Sequence, residues 1–212
     1  FRRVLCRALL EDLERIKKLV NDPNKPVQFI YAGKAHPAEP PGKSLIKALF
    51  ELSRTPEFFG KLVFVEDYDI GISRFLVQGV DVWLNNPERP LEACGTSGMK
   101  VSMNGNLNLS ILDGWWDEAY DGMNGFAIGG TMVHSDNKVQ RERDAQSLYQ
   151  ALENEVLPIF YDRGESGIPK QWVKRMKHAL LSLVWRYSAA RMVQDYMEHA
   201  YLPVAGATTC EL

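Results

Sequence analysis

The residues with the most chemical promise stand together in one short string, Glu92-Ala93-Cys94-Gly95-Thr96-Ser97-Gly98-Met99-Lys100. Two glycines and two hydroxyl residues fall where a helix is expected to begin. A turn of that composition exposes several backbone N–H groups, and the helix dipole favours an anion beside them. Thr96 and Lys100 are spaced i, i+4 and so share a helix face. A phosphate at the helix start and an amine one turn along would hold the two ends of a single small molecule. Pyridoxal phosphate has that shape, with an anion at one end and an aldehyde for a lysine at the other. The same string also reads as an ordinary helix cap followed by a solvated lysine, and spacing alone does not choose between the two.

Other chemistry-bearing patterns lead less far. Gly42-Lys43-Ser44 invites a phosphate-loop reading, but that signature requires glycine where Pro37 stands, so it is rejected. No G-x-G-x-x-G fingerprint follows any expected strand, which argues against nicotinamide chemistry. His36, His134, His178 and His199 show no metal-ligand spacing, and no metal is expected. Trp115-Trp116 is a candidate platform for sugar rings, though adjacent bulky aromatics more often fill a core. The run 170–178 reads as a solvated helix face with Trp172 and Met176 turned inward.

The elements that must position these residues alternate in type. Apolar residues at helical spacing over 4–20 predict a helix, stopped by Asn21-Asp22-Pro23. Short apolar runs at 27–32, 62–65, 80–84 and 107–112 predict buried strands. Helices are expected at about 43–54, 70–78 and 95–103, between those strands. Strands apolar on both faces, alternating with helices, imply an α/β fold: a doubly wound, parallel, Rossmann-like sheet. In such a sheet ligands bind beyond the carboxyl ends of the strands, so segments 33–42, 66–71 and 85–100 are the places to look. Beyond Asp136 the pattern is helical (about 138–159, 169–184 and 188–201). Two domains are therefore expected: 1–135, Rossmann-like, and 136–212, a helical extension packed on it.

Composition sets the frame. The 212 residues are 45% hydrophobic and 25% charged, enough to bury a sizeable core. A net charge of −2 gives no reason to expect nucleic acid or an anionic membrane as partner. No apolar run approaches the roughly 20 residues of a membrane-spanning helix. Cys6, Cys94 and Cys210 do not form a disulfide framework, so a reducing, cytoplasmic setting is the default expectation. A chain that opens on Phe1 and enters a helical pattern at once reads as part of something longer.

The string at 92–100 continues into Asn104-Gly105-Asn106-Leu107-Asn108-Leu109 and Leu112-Asp113-Gly114. Together these resemble the pyridoxal-phosphate segment of the glycogen, starch and maltodextrin phosphorylases. Trp115-Trp116 and Tyr120-Asp121-Gly122-x-Asn124-Gly125 resemble the shorter bacterial and archaeal α-glucan phosphorylases in particular. Ala32-Gly33-Lys34-Ala35-His36-Pro37 and Val65-Glu66-Asp67-Tyr68 are similar to two further blocks of that family, in order, so that the likeness runs from about 12 to 130. The resemblance implies the C-terminal domain of a GT-B type glycosyltransferase, followed by C-terminal helices and lacking its N-terminal partner domain. It implies pyridoxal 5′-phosphate as cofactor, with α-1,4-glucan, inorganic phosphate and glucose 1-phosphate as substrates and product of a reversible phosphorolysis. Lys100 matches the lysine that takes the cofactor's aldehyde as an aldimine, and Gly95, Thr96 and Ser97 match the turn that holds its phosphate. Tyr68 matches an aromatic residue lining the cofactor pocket. Glu92, Ala93, Cys94 and Gly95 match the stretch that hydrogen-bonds glucosyl hydroxyls, with Cys94 standing where serine is usual. Arg2 and Arg3 match what is left of a basic cluster for the substrate phosphate, and read equally well as solvated terminal arginines. A homo-oligomer is left open. Two other readings compete: a nucleotide-sugar glucosyltransferase of the glycogen- or starch-synthase kind, and a glucan-binding fragment without activity.

Overall fold

The computed structural model describes residues 9–130 and 132–206. It is a mixed α/β structure in which every strand pairing is parallel. In chain order the elements are α1 (Leu13–Val20), β1 (Phe29–Ala32), α2 (Pro40–Ser53), β2 (Leu62–Val65), α3 (Ile70–Gly79) and β3 (Val82–Asn85). There follow α4 (Thr96–Met103), β4 (Leu107–Ile111), α5 (Trp115–Ala119), β5 (Phe126–Ile128) and α6 (Asn137–Ala151). The described chain closes with α7 (Leu157–Tyr161), α8 (Lys170–Leu183), α9 (Ala189–Tyr196) and α10 (Leu202–Val204). Among the described residues the strands fall into two groups, β1–β2 and β3–β4–β5, rather than one hydrogen-bonded sheet.

β4 is the axis of the core. All five of its residues are buried, including Asn108 and Ser110. Leu107 and Leu109 share one apolar cluster with Phe126 of β5, Leu148 and Tyr149 of α6, and Trp172 of α8. The helical stretch after Asp136 therefore packs on the same core as the strands.

Several expected boundaries move, each for a local reason. The single helix expected over 4–20 is interrupted at Glu11. Asp12 caps α1 instead, its carboxylate accepting from the Arg15 N–H at 2.9 Å. The helix expected at 43–54 starts at Pro40, because proline suits the first turn, where its missing N–H costs nothing. The helices expected over 138–159 and 188–201 each widen into one π-helical stretch, Leu152–Val156 and Met197–Tyr201. Both wide stretches precede a proline, Pro158 and Pro203, whose ring clashes with the carbonyl four residues back. α5 and β5 are additions that the sequence patterns above do not announce. β5 is only three residues long and α5 only five, too short to show a period.

A charged clamp ties α1 to the helical stretch. Arg15 donates from Nε and Nη2 to the two carboxylate oxygens of Glu153 at 2.8 and 2.6 Å, and its guanidinium lies 4.9 Å from the Tyr149 ring centroid. The hydrogen bond from Arg15 holds the Glu153 carboxyl below its ordinary range. A depressed carboxyl contributes stability above its unfolded value of about 4.3, and that stability is lost as pH falls through the folded value. Glu153→Gln should therefore cost about 1 kcal/mol or less at neutral pH, the pair being partly exposed. The gap in thermal midpoint between the two proteins should shrink as pH is lowered from about 6 to about 3. A gap independent of pH would show that the pair contributes nothing through charge.

Candidate functional site

The segment 92–100 sits at the carboxyl end of β3 and is held there from three sides. Asp113, just past β4, accepts from the Glu92 N–H at 2.9 Å with one carboxylate oxygen and from the Gly114 N–H at 3.0 Å with the other. The Trp115 N–H donates to the Cys94 carbonyl at 2.9 Å. On β4, Asn108 donates through Nδ2 to the Gly98 carbonyl (3.1 Å) and to Ser102 Oγ (2.8 Å), fixing α4 on the strand. The glycines are where this packing is tightest. A Cβ on Gly98 would lie 2.6 Å from Asn108 Oδ1 and 2.9 Å from the Trp115 ring, and one on Gly114 2.4 Å from the Cys94 carbonyl oxygen.

α4 begins from Gly95, whose φ of 93° lies in the left-handed region and which has no side chain to cap the helix. The N–H groups of its first turn and the positive end of the helix dipole remain directed at whatever lies before the helix. Thr96 and Lys100 are both exposed, which agrees with their sharing one face of α4, and Ser97 is half-buried. Glu92 is buried at 8% exposure, while Ala93 and Cys94 are exposed. Tyr68 follows β2 and lines, with Ser97 and Asn85, a cavity of about 190 Å³ between the ends of β1 and β3. Lys100 is outside that cavity's lining. Arg2 and Arg3 lie outside the described residues.

Trp115 and Trp116 are 4% and 0% exposed, and the Trp116 indole donates to the Phe126 carbonyl at 3.1 Å. They fill the core and offer no platform to a sugar. Two residues at the same end of the sheet were given no role of their own by the sequence. Asp67, immediately before Tyr68, has a φ of 52°, a left-handed conformation that aspartate tolerates better than most residues. Asn86 is 1% exposed, with neither amide atom hydrogen-bonded. An unpartnered amide costs stability in a core. Asn85-Asn86-Pro87 is legible as a loop after a strand, but nothing in its spelling separates the buried asparagine from its neighbour.

The donor set suits pyridoxal phosphate: an uncapped helix start and two hydroxyls for an anion, one amine on an exposed face a turn away, and an aromatic ring lining the same cavity as Ser97. An α/β scaffold with an uncapped helix start after parallel strands defines the class of protein. The particular family follows from comparison with known proteins. A profile of the carbohydrate phosphorylases matches residues 3–202. The chain is 52% identical over 193 residues to a glycogen phosphorylase of Aquifex aeolicus, covering 91% of this chain and 28% of that protein. It is 49% identical to a maltodextrin phosphorylase of Thermococcus litoralis, covering 91% and 23% respectively. With a glycogen phosphorylase of Mycobacterium tuberculosis the identity is 47%, over 93% of this chain and 23% of that protein. The chain belongs to the carbohydrate phosphorylase family, and it spans about a quarter of the length of these relatives.

Proposed function

We propose that this chain forms the cofactor-carrying wall of an α-glucan phosphorylase. The enzyme transfers a terminal α-1,4-glucosyl unit reversibly to inorganic phosphate, giving glucose 1-phosphate. One observation carries this reading: α4 opens with no side-chain cap, with Thr96 and Ser97 in its first turn and Lys100 one turn on. Pyridoxal phosphate, when bound, supplies a second phosphate beside the substrate phosphate, as a proton-transfer or electrostatic partner. Thr96, Ser97 and the N–H groups of the first turn bind its anionic end, Lys100 binds the other end, and Tyr68 lines the pocket. Two adjacent phosphates repel, so the helix dipole and the cations Arg2 and Arg3 offset their charge. The loop from Glu92 to Gly95 orients the glucosyl hydroxyls. The Cys94 thiol is a weak donor, so its backbone N–H does more of that work than its side chain.

On this reading residues 1–135 are the doubly wound, Rossmann-like domain of a GT-B type enzyme and 136–212 a helical extension of it. The facing domain belongs to the rest of a polypeptide of the relatives' length, and the enzyme works in the cytoplasm. The test is a chimera in which this chain replaces the matched residues of the Aquifex aeolicus glycogen phosphorylase. It should release glucose 1-phosphate from maltodextrin and phosphate. A chimera that is folded and loaded with cofactor yet inactive, or that uses a nucleoside diphosphoglucose instead, would overturn the reading. The 212 residues alone should show no turnover, since one wall of the cleft neither excludes water nor completes the charge around two phosphates.

Thr96→Ala tests the phosphate end separately. One charge-assisted hydrogen bond is worth roughly 1.5–3 kcal/mol, so affinity for pyridoxal phosphate should fall about 10- to 150-fold. Fluorescence titration with the cofactor measures it, and an unchanged affinity would place the phosphate elsewhere.

A further inference from the structure

Trp115 is the post against which the start of α4 is set. Its backbone N–H donates to the Cys94 carbonyl at 2.9 Å. Its ring lies against both glycines that flank Thr96 and Ser97. Indole Cδ1 stands 3.4 Å from where a Cβ would be on Gly95, and Cζ2 2.9 Å from where one would be on Gly98. Ring and helix start are thus in direct contact, and a close-packed contact of this kind transmits any shift of the ring to the turn.

The indole is itself held from two directions. One is Trp116, with ring centroids 5.0 Å apart and its own indole bonded to the Phe126 carbonyl. The other is Tyr187, from the segment between α8 and α9, far along the chain. Its ring meets Trp115 edge-on, with centroids 5.2 Å apart and planes at 77°, an arrangement in which aromatic pairs attract. Tyr187 stands on firm footing. Its N–H donates to the carbonyl of Leu183, a core residue 2% exposed, at 3.0 Å, which carries the last turn of α8 onward. The Arg186 guanidinium lies 5.5 Å from the centroid of the same tyrosine ring. The Tyr187 hydroxyl, by contrast, is buried and hydrogen-bonds nothing among the described residues. A buried hydroxyl without a partner stabilises nothing, so the ring is the part of Tyr187 that acts.

We propose that Tyr187 is a positioning residue for the cofactor turn. Through Trp115 its ring fixes where the first N–H groups of α4 stand, and so couples the helical stretch after Asp136 to the anion end of the pocket. Without that ring the indole turns into the vacated space, and Cys94, Gly95 and Gly98 lose the surface they rest on. The role in cofactor binding rests on the reading of this helix start as the phosphate site. The hold on the turn does not.

Tyr187→Ala and Tyr187→Phe in the 212-residue chain test it. Affinity for pyridoxal phosphate, by fluorescence titration, should fall about tenfold in the alanine variant, the scale of one aromatic pair. The phenylalanine variant should restore it. Without cofactor, the Trp115 amide reports the bond to Cys94. It should exchange about tenfold faster in Tyr187→Ala, with the amides of α6 unchanged. Tyr187→Leu, which keeps apolar volume, serves in the same comparison should the alanine variant not fold. Val156→Ala is the control, a buried residue between α6 and α7. It should lower the urea midpoint and leave cofactor affinity and Trp115 exchange at wild-type values. Wild-type affinity and Trp115 exchange in Tyr187→Ala would overturn the proposal. So would a phenylalanine variant no better than alanine, or an equal loss of affinity in Val156→Ala, which would make the effect one of general stability. Should the wild-type chain not bind pyridoxal phosphate, the reading of the helix start falls, and Trp115 exchange alone decides whether Tyr187 sets the turn.

Discussion

Lys100→Ala should leave the protein folded and unable to retain pyridoxal phosphate. Lys100 is exposed near the end of α4, and among the described residues its side chain makes no hydrogen bond, while its backbone carbonyl accepts from Asn104 Nδ2 at 2.8 Å. Alanine is the better helix former, so the fold should be altered by no more than about 0.5 kcal/mol. On the proposed function the cofactor, by contrast, would lose its covalent anchor and keep the anion contact at Thr96 and Ser97. Borohydride reduction of the loaded protein followed by peptide mapping should place the label on Lys100. The variant should stay unlabelled while its urea midpoint is unchanged. Label on Lys34 or Lys43, which follow β1 at the same end of the sheet, would mean that the cofactor approaches from another strand.

Much of this arrangement was legible before any coordinates, and the reasons differ from element to element. β2 was readable because Leu62-Val63-Phe64-Val65 is an unbroken apolar run, and its bounds agree with expectation. α3 was expected at 70–78 and forms at Ile70–Gly79, and the structure adds the cap that starts it, Asp69 accepting from the Ile72 N–H at 2.8 Å. The string at 92–100 announced a helix start because glycine and hydroxyl residues cluster there. What the sequence could not spell is the set of long-range bonds that hold this loop. Asn108 and Asp113 lie in the segment that carries the phosphorylase resemblance, yet nothing local says that one fixes Gly98 and the other Glu92. Those partners are ten and twenty-one residues away and meet only once β3 and β4 pair. The division into two strand groups was equally out of reach. Strand patterns name the strands but not the neighbour each one takes, and all the apolar runs looked alike in calling for burial on both faces.

The tryptophan pair shows the same limit from the other side. Adjacent aromatics suit a sugar platform and a core equally well by type. The deciding fact is the Trp116 indole bond to Phe126 on β5, a strand of three residues too short to be read. Sequence thus places residues on a common helix face where residue type and a short fixed spacing suffice, as for Thr96 and Lys100. It falls silent where function depends on which surfaces meet.

Gly114→Ala should be the most damaging single methyl group in the site. Gly114 has φ 57° and ψ −136°, a region that only glycine enters without strain. Its added Cβ would stand 2.4 Å from the Cys94 carbonyl oxygen and 2.7 Å from Glu92 Cγ, and the first of these is backbone that has no rotamer to yield. Strain and overlap together should cost about 2–4 kcal/mol. The relief available is for the loop at 92–95 to move off Asp113 and Trp115, which would carry Gly95 and the start of α4 with it. Affinity for pyridoxal phosphate should therefore fall along with stability. Gly122→Ala is the control, because Gly122 also has a positive φ, of 87°, but a Cβ there meets nothing within 4 Å. It should cost only the backbone preference, about 1 kcal/mol, with cofactor affinity unchanged. Urea unfolding and cofactor titration of both variants separate the two effects. If Gly114→Ala were no worse than Gly122→Ala in both measurements, the loop would not be pinned as described, and the sugar-binding role proposed for Glu92 to Gly95 would lose its structural support.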